Sequence, residues 1–291
     1  MWTWHVLDIP TVLECTDPSF SSIPNLGREH TNITQSNRPK QPPKATTQSN
    51  QYRTEHLRCH LPRATRHNLF DSMSTTTETS TQSPSTNPYY KRAYALSNVE
   101  SARKFYDEWA SRYDNDTVTD GYTGPTESVK AIVKFIGPKD MPSATFLDAG
   151  CGTGLVGVLL AREGASTIDG LDLSPEMLKK ARNTGVYRSL GEADLSKPVE
   201  KPDETYDVLA CVGTLTHGHV GPKALPEFVR VVNHGGLVVA TVIEAIWESG
   251  GYQAEVERLA ASKQVEVLHT DTVGYRSSAN LGAKMLVMKR L

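Results

Sequence analysis

The chain has 291 residues, a formal net charge of −2 and 38% hydrophobic residues, which is enough material for one sizeable α/β domain with additional segments. The near-neutral charge argues against nucleic acid or an anionic membrane surface as the main partner, and no apolar run approaches the roughly 18 residues of a membrane span. The four cysteines form no Cys-x-x-Cys pair, so we expect a reduced, cytoplasmic protein without a disulfide framework.

The first third of the chain differs in composition from the rest. Residues 1–92 are rich in Pro, Ser, Thr, Gln and Asn, and such a segment buries too little apolar surface to fold, so we predict a disordered polar extension followed by one domain over 93–291. Met73 begins a stretch that resembles an ordinary N-terminus, and we hypothesise that translation can start there. The extension contains a group of metal-binding residue types whose spacing fits no zinc motif: His56, Cys59, His60 and His67.

Regular periodicity begins at Ser97. Ser97 and Glu100 have the spacing of a capping box that opens a helix, and aromatic residues recur along it every four positions, at Phe105, Trp109 and Tyr113. A second helix is predicted over 126–136, with Gly137 as its stop.

Strand and helix patterns alternate after this point. We predict strands over 145–148, 167–172, 186–192, 206–212 and 236–243, and helices over 154–163, 175–183, 222–232 and 252–262. Two further strands, 265–270 and 284–289, have no convincing helix between them and predict a terminal antiparallel hairpin. The expected fold is a doubly wound α/β sheet of seven strands, mostly parallel.

A glycine-rich loop, FLDAGCGTGLVG, follows the first predicted strand. Glycines at alternate positions allow a sharp turn and let a ligand approach the backbone. The segment 152–157 also fits the G-x-G-x-x-G pattern of dinucleotide-binding proteins, and Asp172 lies 20 residues after Gly152, where either fold places an acid for ribose hydroxyls. The loop and Asp172 therefore indicate a nucleoside ligand without choosing between nicotinamide and S-adenosylmethionine.

Three features favour S-adenosylmethionine. Asp148 precedes the first glycine, and a carboxylate there would repel a pyrophosphate but attract a cationic ligand. Asp194 and Leu195 follow the third strand, where they can accept the adenine amino group and cover the ring. The sheet ends in a hairpin rather than in a second mononucleotide-binding half. A nicotinamide-dependent oxidoreductase and a non-catalytic S-adenosylmethionine-binding protein remain the alternatives.

The motifs LDAGCGTG, GLDLSPEML, EADL, YDVLACVGTL and HGGLVVATV occur in the order and spacing of a known family. The segment 146–243 resembles the class I, seven-stranded, Rossmann-like S-adenosylmethionine-dependent methyltransferases. The upstream YDEWASRYDND, with Tyr122 and Pro125, is similar to the methyltransferase-like proteins of the Williams–Beuren critical-region type and their fungal relatives.

The resemblance implies a role for each motif residue. The methionine part of S-adenosylmethionine would be held by the loop, namely Asp148, Gly150, Cys151, Gly152 and Gly154. Cys151 would contribute only its backbone and otherwise be a small buried residue. Asp172 would bind the ribose, while the adenine would meet Leu173, Met177, Asp194 and Leu195, unless Asp194 only caps a turn.

An aromatic segment and the loop after the fourth strand complete the implied site. Tyr106, Trp109 and Tyr113 resemble the segment that covers the cofactor, with a core position as the alternative for Trp109. His217 is the first candidate for acceptor contact or proton removal and His219 the second, unless these histidines only shape the loop.

The acceptor pocket is expected to include Glu244 and Trp247, although a surface loop would explain them equally well. No metal is predicted. The expected methyl acceptor is an N or O atom of a small molecule, and we expect a role in secondary-metabolite biosynthesis. The expected state is a monomer or weak homodimer.

Overall fold

A computed structural model of the protein describes residues 87–291. The predicted disordered extension up to residue 86, its histidine and cysteine group and Met73 lie outside these residues. Within the described range, none of the helices combines the length and the apolar character needed to cross a membrane.

Four helices precede the sheet: α1 (Pro88–Tyr94), α2 (Val99–Trp109), α3 (Tyr113–Thr119) and α4 (Gly124–Ile136). The predicted domain boundary at residue 92 falls inside α1, which starts where the Asn87 side chain accepts a 3.0 Å hydrogen bond from the Tyr89 amide. The structure therefore continues as a helix on the N-terminal side of that boundary.

Helix α2 differs from its prediction at both ends. Its N-cap is Asn98, whose side chain accepts from the Ser101 amide at 2.9 Å, so the cap lies one residue after the predicted Ser97. The backbone of Asn98 is extended, which lets its side chain accept from an amide of the first turn that has no partner within the helix. The helix ends at Trp109, and Tyr113 consequently begins α3.

The predicted alternation of strands and helices is present. The elements are β1 (Thr145–Ala149), α5 (Leu155–Arg162), β2 (Thr167–Asp172), α6 (Pro175–Asn183), β3 (Ser189–Glu192), β4 (Tyr206–Leu215), α7 (Leu225–Val231), β5 (Val232–Ile243) and α8 (Tyr252–Ala261). β2 and α6 match their predicted bounds, whereas β3 is shorter and β4 and β5 are longer than predicted.

The chain ends in β6 (Val265–His269), β7 (Thr272–Arg276) and β8 (Leu281–Arg290). The sheet order is β3-β2-β1-β4-β5-β8-β6, with β7 also paired to β8. β1 to β5 are parallel, and β8 runs antiparallel to β5 and β6, so the predicted fold class is confirmed.

The sheet has eight strands in the described residues rather than the predicted seven, because the edge strand is divided in two. β6 pairs with one half of β8 and β7 with the other, and the register of β6 shifts between Val267 and His269. Across the break, the Met285 amide still donates to the Asp271 carbonyl at 2.9 Å. The predicted antiparallel pairing of 265–270 with 284–289 is present as the pair β6–β8, and the unpredicted strand β7 pairs with the other half of β8.

Both faces of the sheet are covered. Alternate residues of β4 pack into different cores: Val208 and Ala210 with α4 and α5, Leu209 and Cys211 with α7 and α8. All four are at most 1% exposed. With both faces filled by apolar side chains, a polar ligand has access to the sheet only at the carboxyl ends of its strands.

Candidate active site

A cleft that is open to solvent lies at the carboxyl ends of β1, β2 and β4. Helices α2 and α3 supply its cover, and the loops after the strands supply its walls. Its lining includes ten residues singled out from the sequence: Tyr106, Tyr113, Gly150, Gly152, Asp172, Leu173, Met177, Asp194, Leu195 and His219.

The glycine loop is fastened to the end of β2. The amides of Gly150 and Cys151 both donate to the Leu171 carbonyl, at 2.7 and 2.9 Å. The Gly152 amide donates to Oδ2 of Asp172 at 2.7 Å. Gly152 has φ +54°, and a Cβ added to it would meet nothing within 4 Å, so this backbone faces open space in the cleft.

Asp172 is held at the end of β2 by backbone donors. Its Oδ1 accepts from the Ser174 amide at 2.9 Å, while Oδ2 accepts from Gly152. Each oxygen retains a lone pair, so the carboxylate can still accept two ligand hydroxyls. Burial raises the pKa of Asp172 to about 6, against the lowering effect of the backbone hydrogen bonds, and the group is mainly ionised at neutral pH.

Asp148 lies beneath the loop rather than at its ligand-facing surface. It is fully buried, and its Oδ2 accepts from the Tyr187 hydroxyl at 2.7 Å. Its Oδ1 has no hydrogen-bond partner in the described part of the chain. Burial raises the pKa of Asp148 to about 7 despite the Tyr187 hydrogen bond. The structure thus places Asp148 beneath the glycine loop and outside the cleft lining, and its contact with a ligand stays a prediction.

Asp194 lines the cleft and also caps a turn. Its Oδ1 accepts from the amide and the hydroxyl of Ser196, and Lys197 lies 3.3 Å from Oδ2. Although partial burial acts to raise it, these contacts lower the pKa of Asp194 below its ordinary value. Leu195 is 5% exposed beside it. Both predicted interpretations of Asp194 are compatible with this placement.

Two carboxylates connect helices α2 and α3, which cover the cleft, to the cleft walls through hydrogen bonds. Asp107 and Asp114 directly follow the cleft tyrosines of α2 and α3. Asp107 accepts from the Ser174 hydroxyl at 2.6 Å, and Asp114 accepts from the Thr153 hydroxyl at 2.6 Å. These contacts were not predicted, because the partners are 67 and 39 residues apart in the sequence.

Trp109 is a core residue and does not line the cleft. It is 1% exposed, and its indole N–H donates to Asp116 at 2.8 Å. Its ring contacts those of Tyr106 and Tyr113, with centroid distances of 6.1 and 4.8 Å. The indole thus packs behind the two tyrosines that line the cleft, in the core position that was the alternative interpretation of Trp109.

The two candidate histidines occupy different environments. His217 is exposed, contacts Tyr94 edge-on and is not part of the cleft lining, which reverses the predicted order of the pair. Nδ1 of His219 is 2.7 Å from the His217 carbonyl, an acceptor only, so we assign the proton to Nδ1. Nε2 then accepts from the Tyr106 hydroxyl at 2.9 Å. Burial lowers the pKa of His219, so the ring is neutral at pH 7.

Four other predicted residues lie away from the cleft. Cys151 is 5% exposed in a small cluster with Leu178, as its structural interpretation predicts. Gly154 is the N-cap of α5 and permits close packing, since a Cβ there would lie 3.2 Å from Tyr187. Glu244 and Trp247 line a separate surface depression beside α8, and their role in an acceptor pocket stays a prediction.

The end of β4 supplies lining residues that the sequence did not single out. Gly213 has φ +80°, and Thr214 lies against the glycine loop, where a Cβ at Gly150 would approach its hydroxyl to 2.1 Å. The strand runs to Leu215, beyond the predicted end at Val212, and this extension carries both residues into the cleft.

The chemistry of the cleft can be compared with the cofactor that the sequence motifs imply. The charged residues of its lining, within residues 87–291, are Asp172 and Asp194, both acidic. Such a lining suits a ligand with hydroxyl and amino donors and a positive charge, and it offers no cation to a pyrophosphate. The residues present therefore fit S-adenosylmethionine.

Comparison with known proteins gives matches to methyltransferases. The model of a family described as "Methyltransferase domain" matches residues 147–240. The human methyltransferase-like protein 27 is 36% identical over 152 residues, which are 52% of this chain and 61% of that protein. A ubiquinone biosynthesis O-methyltransferase of Klebsiella pneumoniae is 33% identical over 101 residues, 33% of this chain and 41% of that enzyme. The chain thus spans between two and three fifths of these relatives.

Solved structures resemble the fold at low sequence identity. A TehB-like SAM-dependent methyltransferase from Corynebacterium glutamicum is 22% identical, with a TM-score of 0.47, over 64% of this chain and 98% of that one.

Proposed function

We propose that this chain is a class I S-adenosylmethionine-dependent methyltransferase and that it transfers a methyl group from S-adenosylmethionine to an oxygen or nitrogen atom of a small molecule. The observation that carries this proposal is the acidic lining of the cleft, in which Asp172 and Asp194 face the space at the strand ends. A cationic adenosyl ligand is compatible with two carboxylates, whereas a dinucleotide would bring its pyrophosphate into the same field.

In the proposed complex, each wall of the cleft contacts a different part of S-adenosylmethionine. Asp172 accepts the ribose hydroxyls with its free lone pairs, and Asp194 accepts the adenine amino group. Leu173, Met177 and Leu195 pack against the adenine, and the open backbone of the glycine loop receives the methionine part. Tyr106 and Tyr113 cover the site from α2 and α3.

S-adenosylmethionine, when bound, supplies an electrophilic methyl group on a cationic sulfur. The protein's contribution is to align the acceptor, to exclude water and to remove a proton where the acceptor carries one. His219 is neutral and presents Nε2 to Tyr106 at the cleft, so this pair is suited to take the acceptor's proton. His217 is proposed only to hold the His219 ring through its backbone carbonyl.

The chemical class of the acceptor is part of the proposal and is supported by two observations. The relatives named ubiquinone biosynthesis O-methyltransferases favour oxygen as the methylated atom. The net charge of −2 favours a small molecule over nucleic acid. The same proposal includes a role in secondary metabolism, a cytoplasmic location and a monomeric or weakly dimeric state.

The test is a methyl-transfer assay with labelled S-adenosylmethionine, the full chain and a panel of phenols, alcohols and amines. We expect transfer to at least one acceptor and a loss of about 10²-fold or more in kcat for His219→Asn, with His217→Asn as the matched control near the wild-type rate. Cofactor binding without transfer to any acceptor would instead support the non-catalytic alternative. Equal losses in both variants would remove His219 from its proposed role.

A further inference from the structure

A second, smaller cavity adjoins the cleft. Four residues line both spaces: Tyr106, Tyr113, Gly213 and His219. The smaller cavity is rich in tyrosine, and its one arginine among the described residues is Arg276, at the end of β7.

Arg276 is a buried cation with unused donors. The residue is 5% exposed, and its Nε and Nη1 atoms have no hydrogen-bond partner in the described part of the chain. Its guanidinium carbon lies 3.4 Å from the ring centroid of Tyr90, which covers one face of the group. Buried guanidinium N–H groups without acceptors are costly, and proteins normally pair them with an anion.

The groups around Arg276 in residues 87–291 leave its Nε and Nη1 atoms without an acceptor. The carboxylate of Asp120 contributes to the electrostatic field at Arg276. The hydroxyl of Tyr90, which lines the same cavity, is also buried without a partner. Two buried polar groups with unused hydrogen-bonding capacity therefore face one small, aromatic-walled space beside the cleft.

We propose that this cavity binds the methyl acceptor and that the acceptor is a small molecule bearing a carboxylate, which Arg276 recognises. The planar guanidinium suits a carboxylate, and the tyrosine walls suit a flat ring or short apolar body. The acceptor's nucleophilic atom then lies toward Tyr106 and His219, which border both spaces. This inference rests on the proposed function, because the adjoining cleft is taken to hold the methyl donor.

The test uses benzoate and its neutral isostere benzamide as probes with the full chain. Their affinities are measured by calorimetry or ligand-observed NMR in the presence of saturating S-adenosylhomocysteine. The variants are Arg276→Gln and, as a matched control, Arg258→Gln, which removes an exposed arginine of α8.

We expect benzoate to bind the wild type and the control about tenfold or more tightly than benzamide, through charge-assisted hydrogen bonds that an amide cannot replace. In Arg276→Gln this preference disappears, while the affinity for S-adenosylhomocysteine stays unchanged. Equal binding of both probes to the wild type, no binding of either, or a preference that survives in Arg276→Gln would overturn the inference. The wild-type comparison decides even if the variant does not fold.

The same titrations separate this inference from the function on which it rests. Binding of S-adenosylhomocysteine without a carboxylate preference overturns only the acceptor site. A carboxylate preference without binding of S-adenosylhomocysteine overturns the proposed methyl donor and leaves the anion site standing.

Discussion

The Oδ2 atom of Asp172 accepts a 2.7 Å hydrogen bond from the Gly152 amide, so one carboxylate both shapes the glycine loop and faces the cleft. Because ligand hydroxyls would use its remaining lone pairs, Asp172→Ala is expected to weaken S-adenosylmethionine binding by about 1–3 kcal/mol. Calorimetry on the folded variant measures this. Asp271→Ala, which removes an exposed carboxylate, is the control, and unchanged affinity in Asp172→Ala would remove Asp172 from the site.

Gly152 tests whether the ligand approaches the loop backbone. Gly152 and Gly185 both have positive φ, at +54° and +72°, and in both cases an added Cβ would meet nothing within 4 Å. Replacing either with alanine should cost similar stability, about 1–2 kcal/mol, from the left-handed backbone. Only Gly152→Ala should also weaken cofactor binding. An equal effect of the two substitutions on affinity would contradict the proposed contact.

The hydroxyl of Tyr106 tests the proton-accepting pair. Tyr106→Phe removes the 2.9 Å hydrogen bond to His219 while keeping the ring that packs on Trp109. We expect kcat to fall about tenfold with cofactor affinity nearly unchanged, since the lost group positions the base. Tyr89→Phe is the control, because its ring stacks on Trp109 and lines neither the cleft nor the smaller cavity. A kcat for Tyr106→Phe equal to that of the control would argue against this pair.

The pH profile of methyl transfer follows from the state of His219. Burial lowers the pKa of His219 below the 6.5 of an ordinary histidine, and the neutral ring is the form that accepts a proton. The rate should therefore be constant through neutral pH and fall only at acidic pH, below 6.5. Measuring kcat from pH 5 to 9 tests this, and an acidic limb centred above 7 would contradict it.

Asp148 predicts an unusual pH dependence of stability. Burial raises the pKa of Asp148 from 3.8 to about 7, so its contribution to stability is complete below pH 3.8 and is lost as the pH rises to about 7. Asp148→Asn is neutral at every pH and can still accept from Tyr187. Its stability relative to the wild type should therefore rise between pH 4 and 8 by roughly 2–4 kcal/mol, measured by urea unfolding.

Asp207 is the matched control for the direction of this pH dependence of stability. Although partial burial acts to raise it, hydrogen bonds from Thr145 and Asn233 lower the pKa of Asp207. Its contribution to stability is present at neutral pH and is lost on acidification, so Asp207→Asn should lose stability relative to the wild type as the pH rises. The same sign in both variants would contradict the assigned state of Asp148.

Local signals in the sequence carry much of the fold. The hydrophobic periodicity changes from that of a strand to that of a helix between Asp172, the last residue of β2, and Ser174, the N-cap of α6. The end of β2 and the start of α6 are both predicted correctly. The division of β6 from β7 was not predicted, because a break in an edge strand depends on its pairing with β8 rather than on local composition.

The site is less predictable than the fold because its side chains meet over long separations. A four-residue spacing puts Phe105 and Trp109 on one face of α2, but it does not tell that Trp109 is core while Tyr106, on a neighbouring face, meets a histidine 113 residues away. The environment of Arg276 likewise depends on distant parts of the sequence, because Tyr90 of α1 covers the guanidinium of a residue in β7.

The central claim is that the acidic cleft at the strand ends binds a cationic adenosyl ligand. The most direct measurement is calorimetric titration of the full chain with S-adenosylmethionine and, separately, with NAD and NADP. The account predicts saturable binding of S-adenosylmethionine that weakens in Asp172→Ala, and no comparable binding of either dinucleotide. Tight binding of NAD or NADP with none of S-adenosylmethionine would contradict it.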